Sequence, residues 1–277
     1  MHLRGPGAAQ LPARPHLLPG RRGGRPRQAH LAPIRPLPLS AADRLTEVRA
    51  RISAAAERAG RTADEVELVA ASKYASAEQV SELAEAGQRL FGENRVQEAI
   101  PKMAAASMAV RDPLKWHMIG HLQRNKVRQA VGPFAMIESV DSVRLAEAIA
   151  QRATEDEVVV PALLEVNIAG DPAKFGFGPD EVRIAYPLLR QLGGLDVQGL
   201  MTMGVLEAPA EAARAHYAAL RRLKQELDAA GDFPPMRHLS MGMSADLEVA
   251  IEERATIVRV GTALFGSHHD HHHEGEA

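Results

Sequence analysis

Residues 237–261 read RHLSMGMSADLEVAIEERATIVRVG, and the order of patterns inside this stretch decides the fold. Two short apolar runs, RHLSMG at 237–242 and TIVRVG at 256–261, each end in glycine. Between them lies a segment whose helix is expected to start near Ala245. A run, a helix and a second run make a β-α-β unit, which implies parallel strands. Working back along the chain, runs of the same kind recur at LVAAS 68–72, RLFG 89–92, KWHMIG 115–120, AMIESV 135–140, ALLEVN 162–167 and VQGLMTM 197–203. The set numbers eight. Helix-like stretches separate most of them, at 76–87, 142–153, 179–192 and 209–230, the last with Ala213, Tyr217, Leu220 and Leu227 on one face. An opening amphipathic helix carries Leu45, Val48, Ile52 and Ala59. Eight strand–helix units in a few hundred residues suit a closed (β/α)₈ barrel, with an open doubly wound sheet as the alternative.

Composition narrows the function. The chain has 277 residues and no cysteine, which excludes disulfides, thiolate metal sites and a cysteine nucleophile, and fits a reducing cytoplasm. No apolar run approaches the roughly 20 residues that cross a bilayer. The net charge of −2 hides a division. Residues 1–40 hold seven Arg, eight Pro, five Gly and no acidic residue, whereas the other 237 residues carry a net −9. An acidic domain is poorly matched to a nucleic-acid backbone. The Pro/Arg-rich extension has no periodic apolar pattern and is expected to be disordered. Proline and arginine interrupt every stretch that would serve as a signal-peptide core. Residues 267–277, with HHDHHH, are expected to form a solvated tail, and 41–266 the barrel.

The chemistry-bearing residues gather at strand ends: Lys73, Asn94, Gly120 to Asn125, Asn167, Ser240 and Thr262. In a barrel that end carries the active site. Lys73, closing the first run, reads either as a solvated loop lysine or as an amine that attacks a carbonyl, and the latter needs its neutral form. After the last two strands stand Ser240-Met-Gly-Met-Ser244 and Arg259-Val-Gly-Thr262. Loops in those positions often hold phosphate, and Gly242 and Gly261 let backbone N–H groups approach an anion. Ser244 is expected to cap the helix beginning near Ala245. Arg259, inside an apolar strand, requires either a buried acidic partner or a ligand. His117 and His121 lie four apart, but Gly120 ends a strand between them, which argues against a helical zinc pair.

At this point the chain resembles the YggS/PROSC family of pyridoxal 5′-phosphate (PLP) homeostasis proteins, related to the N-terminal barrel of alanine racemase. The matching stretches, in family order over residues 43–266, are LVAASKY, FGENRVQE, WHMIGHLQRNK, VNIAGDPAKFGF, GLMTMG, LSMGMS and IVRVGTALFG. The resemblance implies that Lys73 holds PLP as a Schiff base. Ser240 and Ser244, with the backbone at Gly242 and Met243, would grip the phosphate together with Gly261 and Thr262. Arg259 would face the pyridine nitrogen, and Asn94 would line the pocket. It also implies a monomeric PLP carrier or regulator without a conventional reaction, handing PLP to apo forms of PLP-dependent enzymes. A weak amino-acid racemase is the alternative, and a module acting through its basic extension a third. Racemases of this barrel type resemble one another in adding a C-terminal β domain, for which eleven residues after Gly266 leave no room.

Overall fold

The computed structural model describes residues 2, 39–204, 209–230 and 233–266. The expectations for the His-rich tail, and for the extension apart from His2, Leu39 and Ser40, lie outside the described residues. Packing divides the chain into two units, Met1–Pro38 and Leu39–Ala277, and the second contains every element below.

In chain order the first elements are α1 (Ala41–Arg58), β1 (Glu67–Ala71), α2 (Ala77–Glu85), β2 (Leu90–Glu93), α3 (Val96–Ala109) and β3 (Lys115–Met118). Next come α4 (Val127–Ala130), β4 (Met136–Val140), α5 (Val143–Glu155), β5 (Val160–Glu165), α6 (Pro179–Leu189) and β6 (Leu195–Met201). Then follow α7 (Arg214–Ala230), β7 (His238–Ser240), α8 (Leu247–Glu252), β8 (Ile257–Val260) and α9 (Thr262–Phe265). The eight strands close in sequence order, all parallel, with β1 paired to both β2 and β8. This is the (β/α)₈ barrel, and the open sheet is excluded.

Local chemistry starts the helices where the sequence has cap residues. Ser40 accepts from the Asp43 N–H at 3.1 Å while the Asp43 carboxylate accepts from the Ser40 N–H at 3.2 Å, a reciprocal cap on α1. Ser76 with Gln79 does the same for α2. The buried face of α1 is Leu45, Val48, Ile52, Ala55 and Ala56. Ala59 instead lies half-buried at the C-cap, one residue beyond the last turn. Stretch 209–230 begins as a 3₁₀ turn, Ala210–Ala213, before α7. Helix α8 starts at Leu247 with Asp246 in the cap position, so Ser244 does not cap it.

Strand alternation sorts the interior into layers, because residues two apart face the same way. Val69, Met136, Leu163, Met201 and Ile257, from five strands, form one apolar cluster with Ile119. Two residues nearer the C-terminal mouth stand Ala71, Glu138, Glu165 and Arg259 on the same strands, with Met203 just past the end of β6. An apolar plug therefore lies beneath a layer that carries charge. Helix α1 reaches over to the last elements. Arg51 donates to both carboxylate oxygens of Glu248, at 2.6 and 2.9 Å, and to the Ser244 carbonyl at 2.9 Å. Arg44 donates to the Leu264 carbonyl at 2.5 Å.

Candidate functional site

A cleft of about 350 Å³ opens at the C-terminal mouth, within the size range of small-molecule sites. Its lining includes Lys73, Asn94, Met243, Ser244, Arg259, Gly261 and Thr262, seven of the nine residues singled out from the sequence. The other two, Ser240 and Gly242, are buried beneath it.

Strand β1 ends at Ala71, and Lys73 follows two residues on, exposed at the rim. Its ammonium lies 4.5 Å from the centre of the Tyr74 ring. It makes no hydrogen bond or ion pair among the described residues. Asn94, just past β2, is half-buried and reaches the cleft from the side.

Opposite these stand the turns after β7 and β8. The N–H groups of Ser244, Ala245, Gly261 and Thr262 donate to no partner among the described residues. Ser244 Oγ lies 3.5 Å from Thr262 Oγ1 and 3.4 Å from the Ala263 N–H, which joins the two turns. A Cβ at Gly261 would sit 3.2 Å from the Ala71 carbonyl oxygen, so glycine lets these strands meet closely at the mouth. Gly242 has φ +94°, and a Cβ there would come within 2.5 Å of Ala250. Its role is therefore the tight turn and its packing against α8. The Met243 N–H is already committed, donating to Asp246 Oδ1 at 2.7 Å, while Asp246 Oδ2 accepts from the buried Tyr217 hydroxyl at 2.7 Å.

The floor is ionic. Arg259 is 4 % exposed; Nη2 donates to the Thr202 carbonyl at 2.8 Å and Nη1 to Ser240 Oγ. Ser240 Oγ in turn donates to Glu138 Oε2 at 2.5 Å, and His117 Nδ1 approaches Glu138 Oε1 at 2.7 Å. Burial alone would raise the Glu138 pKa. The His117 hydrogen bond and charge, the Arg259 guanidinium and the Ser240 hydroxyl outweigh it and hold the carboxyl below its ordinary value. The buried acidic partner is Glu138, 3.8 Å from Nη1, and Arg259 also lines the cleft. The Ser240 hydroxyl, expected to meet a phosphate, is engaged inside this network, accepting from Arg259 and donating to Glu138.

Sequence reasoning did not single out Glu138 or Glu165. The signal was present, since a carboxylate within an apolar run poses the question Arg259 posed in TIVRVG. Glu165, ending β5, is 6 % exposed and its carboxyl is pushed up to about 7, chiefly by burial and then by the Asp141 charge, against a smaller opposing effect of Arg259. Beside the mouth, His121 Nδ1 meets Asp141 Oδ2 at 2.7 Å and its ring stacks on Phe175 at 3.8 Å. Among the described residues no group of three or more His, Asp or Glu is arranged to hold a metal, and no helix is long and apolar enough to cross a membrane.

Residues 44–269 match the family model described as alanine racemase, N-terminal domain. A protein of Aquifex aeolicus called pyridoxal phosphate homeostasis protein is 42% identical over 230 residues, 82% of this chain and 98% of its own. The Escherichia coli protein of that name is 35% identical over 230 residues, 82% of this chain and 96% of its own. Among solved structures, PipY of Synechococcus elongatus with PLP bound superposes with a TM-score of 0.72 at 38% identity, covering 82% of this chain and all of that one. An alanine racemase of Clostridium difficile shares the fold at a TM-score of 0.61 and 16% identity, over 83% of this chain and 58% of its own. With that coverage and identity, on an eight-stranded barrel with a lysine at the mouth, the chain belongs to the alanine racemase N-terminal-domain family, in its branch of pyridoxal phosphate homeostasis proteins.

Proposed function

We propose that this protein binds PLP through a Schiff base on Lys73 and serves intracellular vitamin B6 homeostasis rather than catalysing a reaction of its own. One observation carries the reading: the Lys73 amine and two turns whose N–H donors are uncommitted among the described residues line the same cleft, above a fixed guanidinium. The donor set fits the cofactor's three ends. Ser244, Thr262 and the N–H groups of Ser244, Ala245, Gly261 and Thr262 suit the phosphate. Lys73 suits the aldehyde. Arg259, whose two Nη atoms are engaged, retains Nε for the ring nitrogen. Ser240 then supports the site through Arg259, and Gly242 and Met243 shape the turn.

Bound PLP supplies an electrophilic aldehyde and an electron-withdrawing ring. An arginine donor leaves the ring nitrogen unprotonated and weakens the ring as an electron sink. The relatives' names support a homeostasis role, and the PLP seen in PipY supports the cofactor. Residues 41–266 are taken as the binding unit, and the chain as a cytoplasmic monomer whose partners are apo forms of PLP-dependent enzymes.

The test is spectroscopic. The purified full chain should be yellow, and borohydride followed by peptide mapping should find the label on Lys73. Lys73→Ala should lose the colour while keeping its fold, because residue 73 is exposed. Sustained Cα deuteration of L-alanine in D₂O, at enzyme-like turnover, would refute the carrier reading.

A further inference from the structure

Behind Lys73, away from the cleft, lies a buried ionic group that the binding of PLP does not use. Glu93, the last residue of β2, is 1 % exposed and Ser72 is fully buried, while the Lys102 side chain, from α3, is 13 % exposed. Lys102 Nζ donates to Glu93 Oε1 at 2.9 Å and to the Ser72 carbonyl oxygen at 2.7 Å. Ser72 Oγ donates to the same Glu93 oxygen at 2.6 Å, and the Ser72 N–H donates to the Gly92 carbonyl at 2.9 Å. A buried ion pair returns little net stability, because desolvation offsets the attraction. Its position points to another role.

Strand β1 ends at Ala71, and β2 ends beside it at Glu93. The Ser72 carbonyl lies just past the end of the ladder, where it accepts from the Ala75 N–H at 2.9 Å, closing a turn over Lys73 and Tyr74, and from the Lys102 ammonium at 2.7 Å, which pins that turn to α3. That carbonyl belongs to the peptide group that leads into Lys73. The peptide is planar, so fixing its oxygen fixes the direction in which the chain enters Lys73. We propose that Lys102 and Glu93, acting through Ser72, are positioning residues that aim Lys73 at the carbonyl of PLP. The inference rests on Lys73 being the amine that reacts. Because the pair is neutral overall, it acts on the placement of Nζ and leaves the grip on the phosphate end alone.

That separation is measurable in the full-length chain with two probes. PLP reports the covalent step, by the rate at which its bound absorbance appears and by borohydride trapping on Lys73. Pyridoxine 5′-phosphate, an alcohol where PLP has its aldehyde, reports the non-covalent grip by calorimetry. In Lys102→Met the rate with PLP should fall on the order of 10- to 100-fold, as misplacement of a reacting group does, while pyridoxine 5′-phosphate affinity changes less than about twofold. Lys102→Arg should restore part of the rate. Ser72→Ala, which removes one hydroxyl, should fall in the same direction by less and keeps the test alive should Lys102→Met not fold. Unaltered rates in both variants, or equal losses with both probes, overturn the positioning role alone. Trapping of PLP on a different lysine in the unaltered chain overturns the assignment of Lys73 and this inference with it.

Discussion

Replacing Glu165 by Gln removes a carboxyl group whose ionised form the barrel disfavours, and the consequence is set by pH. The side chain is 6 % exposed, and burial followed by the Asp141 charge lifts its pKa from 4.5 to about 7. Between those values the folded chain keeps a proton that the unfolded chain has lost. Stability of the unaltered protein therefore declines as pH rises from about 4.5 to 7 and levels off above. At roughly 1.4 kcal/mol per pH unit, Glu165→Gln should be more stable by about 1 kcal/mol at pH 5 and about 3 kcal/mol at pH 8. Urea unfolding of the ligand-free chain at both pH values measures this, the larger gap corresponding to a midpoint shift on the order of 1 M. Asp141→Asn should reproduce a smaller part of the gain at pH 8. A gap that is the same at both pH values, or a variant less stable at pH 8, would show that the buried carboxyl is not held protonated and would refute the reasoning.

Two further substitutions probe the floor and the mouth. Arg259→Met takes a guanidinium from beside the buried Glu138 carboxylate and leaves it with His117 and Ser240, so unfolding free energy should fall by about 1–3 kcal/mol, and adding Glu138→Gln should recover part of that loss; a double variant as unstable as the single one would place the cost elsewhere. Gly120→Ala puts a Cβ 2.6 Å from the Asn94 carbonyl oxygen and 2.7 Å from its Cα. It should cost about 1–3 kcal/mol and shift the Asn94 backbone in a crystal structure, whereas an unmoved backbone at full stability would contradict the close approach.

The barrel was legible because each of its strands is a short apolar run whose character is local. All eight runs from LVAAS to TIVRVG contain or overlap a strand. Helices α3 and α8 carried weaker marks. Helix α3 is rich in alanine and contains Pro101, and α8 has six residues, too few to display a face. Most of the seven singled-out residues lining the cleft were marked locally by strand ends and glycine turns, whereas Arg259 stood out as a charge inside a strand and Met243 came only with the family resemblance. The bond from Ser240 to Glu138 was not legible, because its partner lies 102 residues away and meets it only when the barrel closes. The raised pKa of Glu165 is likewise a product of closure, since neither its burial nor the approach of Asp141 is written within ALLEVN.

The bonds from Arg51 to the Ser244 carbonyl and from Arg44 to that of Leu264 tie the domain's opening helix to the rims of its final two loops. Together with the β1–β8 ladder, they make the mouth a seam between the domain's opening and closing elements. A ligand seated there spans that join, so its binding energy falls on ring closure rather than on any one loop. Occupancy then guards the whole barrel against opening, and trimming the chain into its first helix would loosen the anion-facing loops more than two hundred residues downstream.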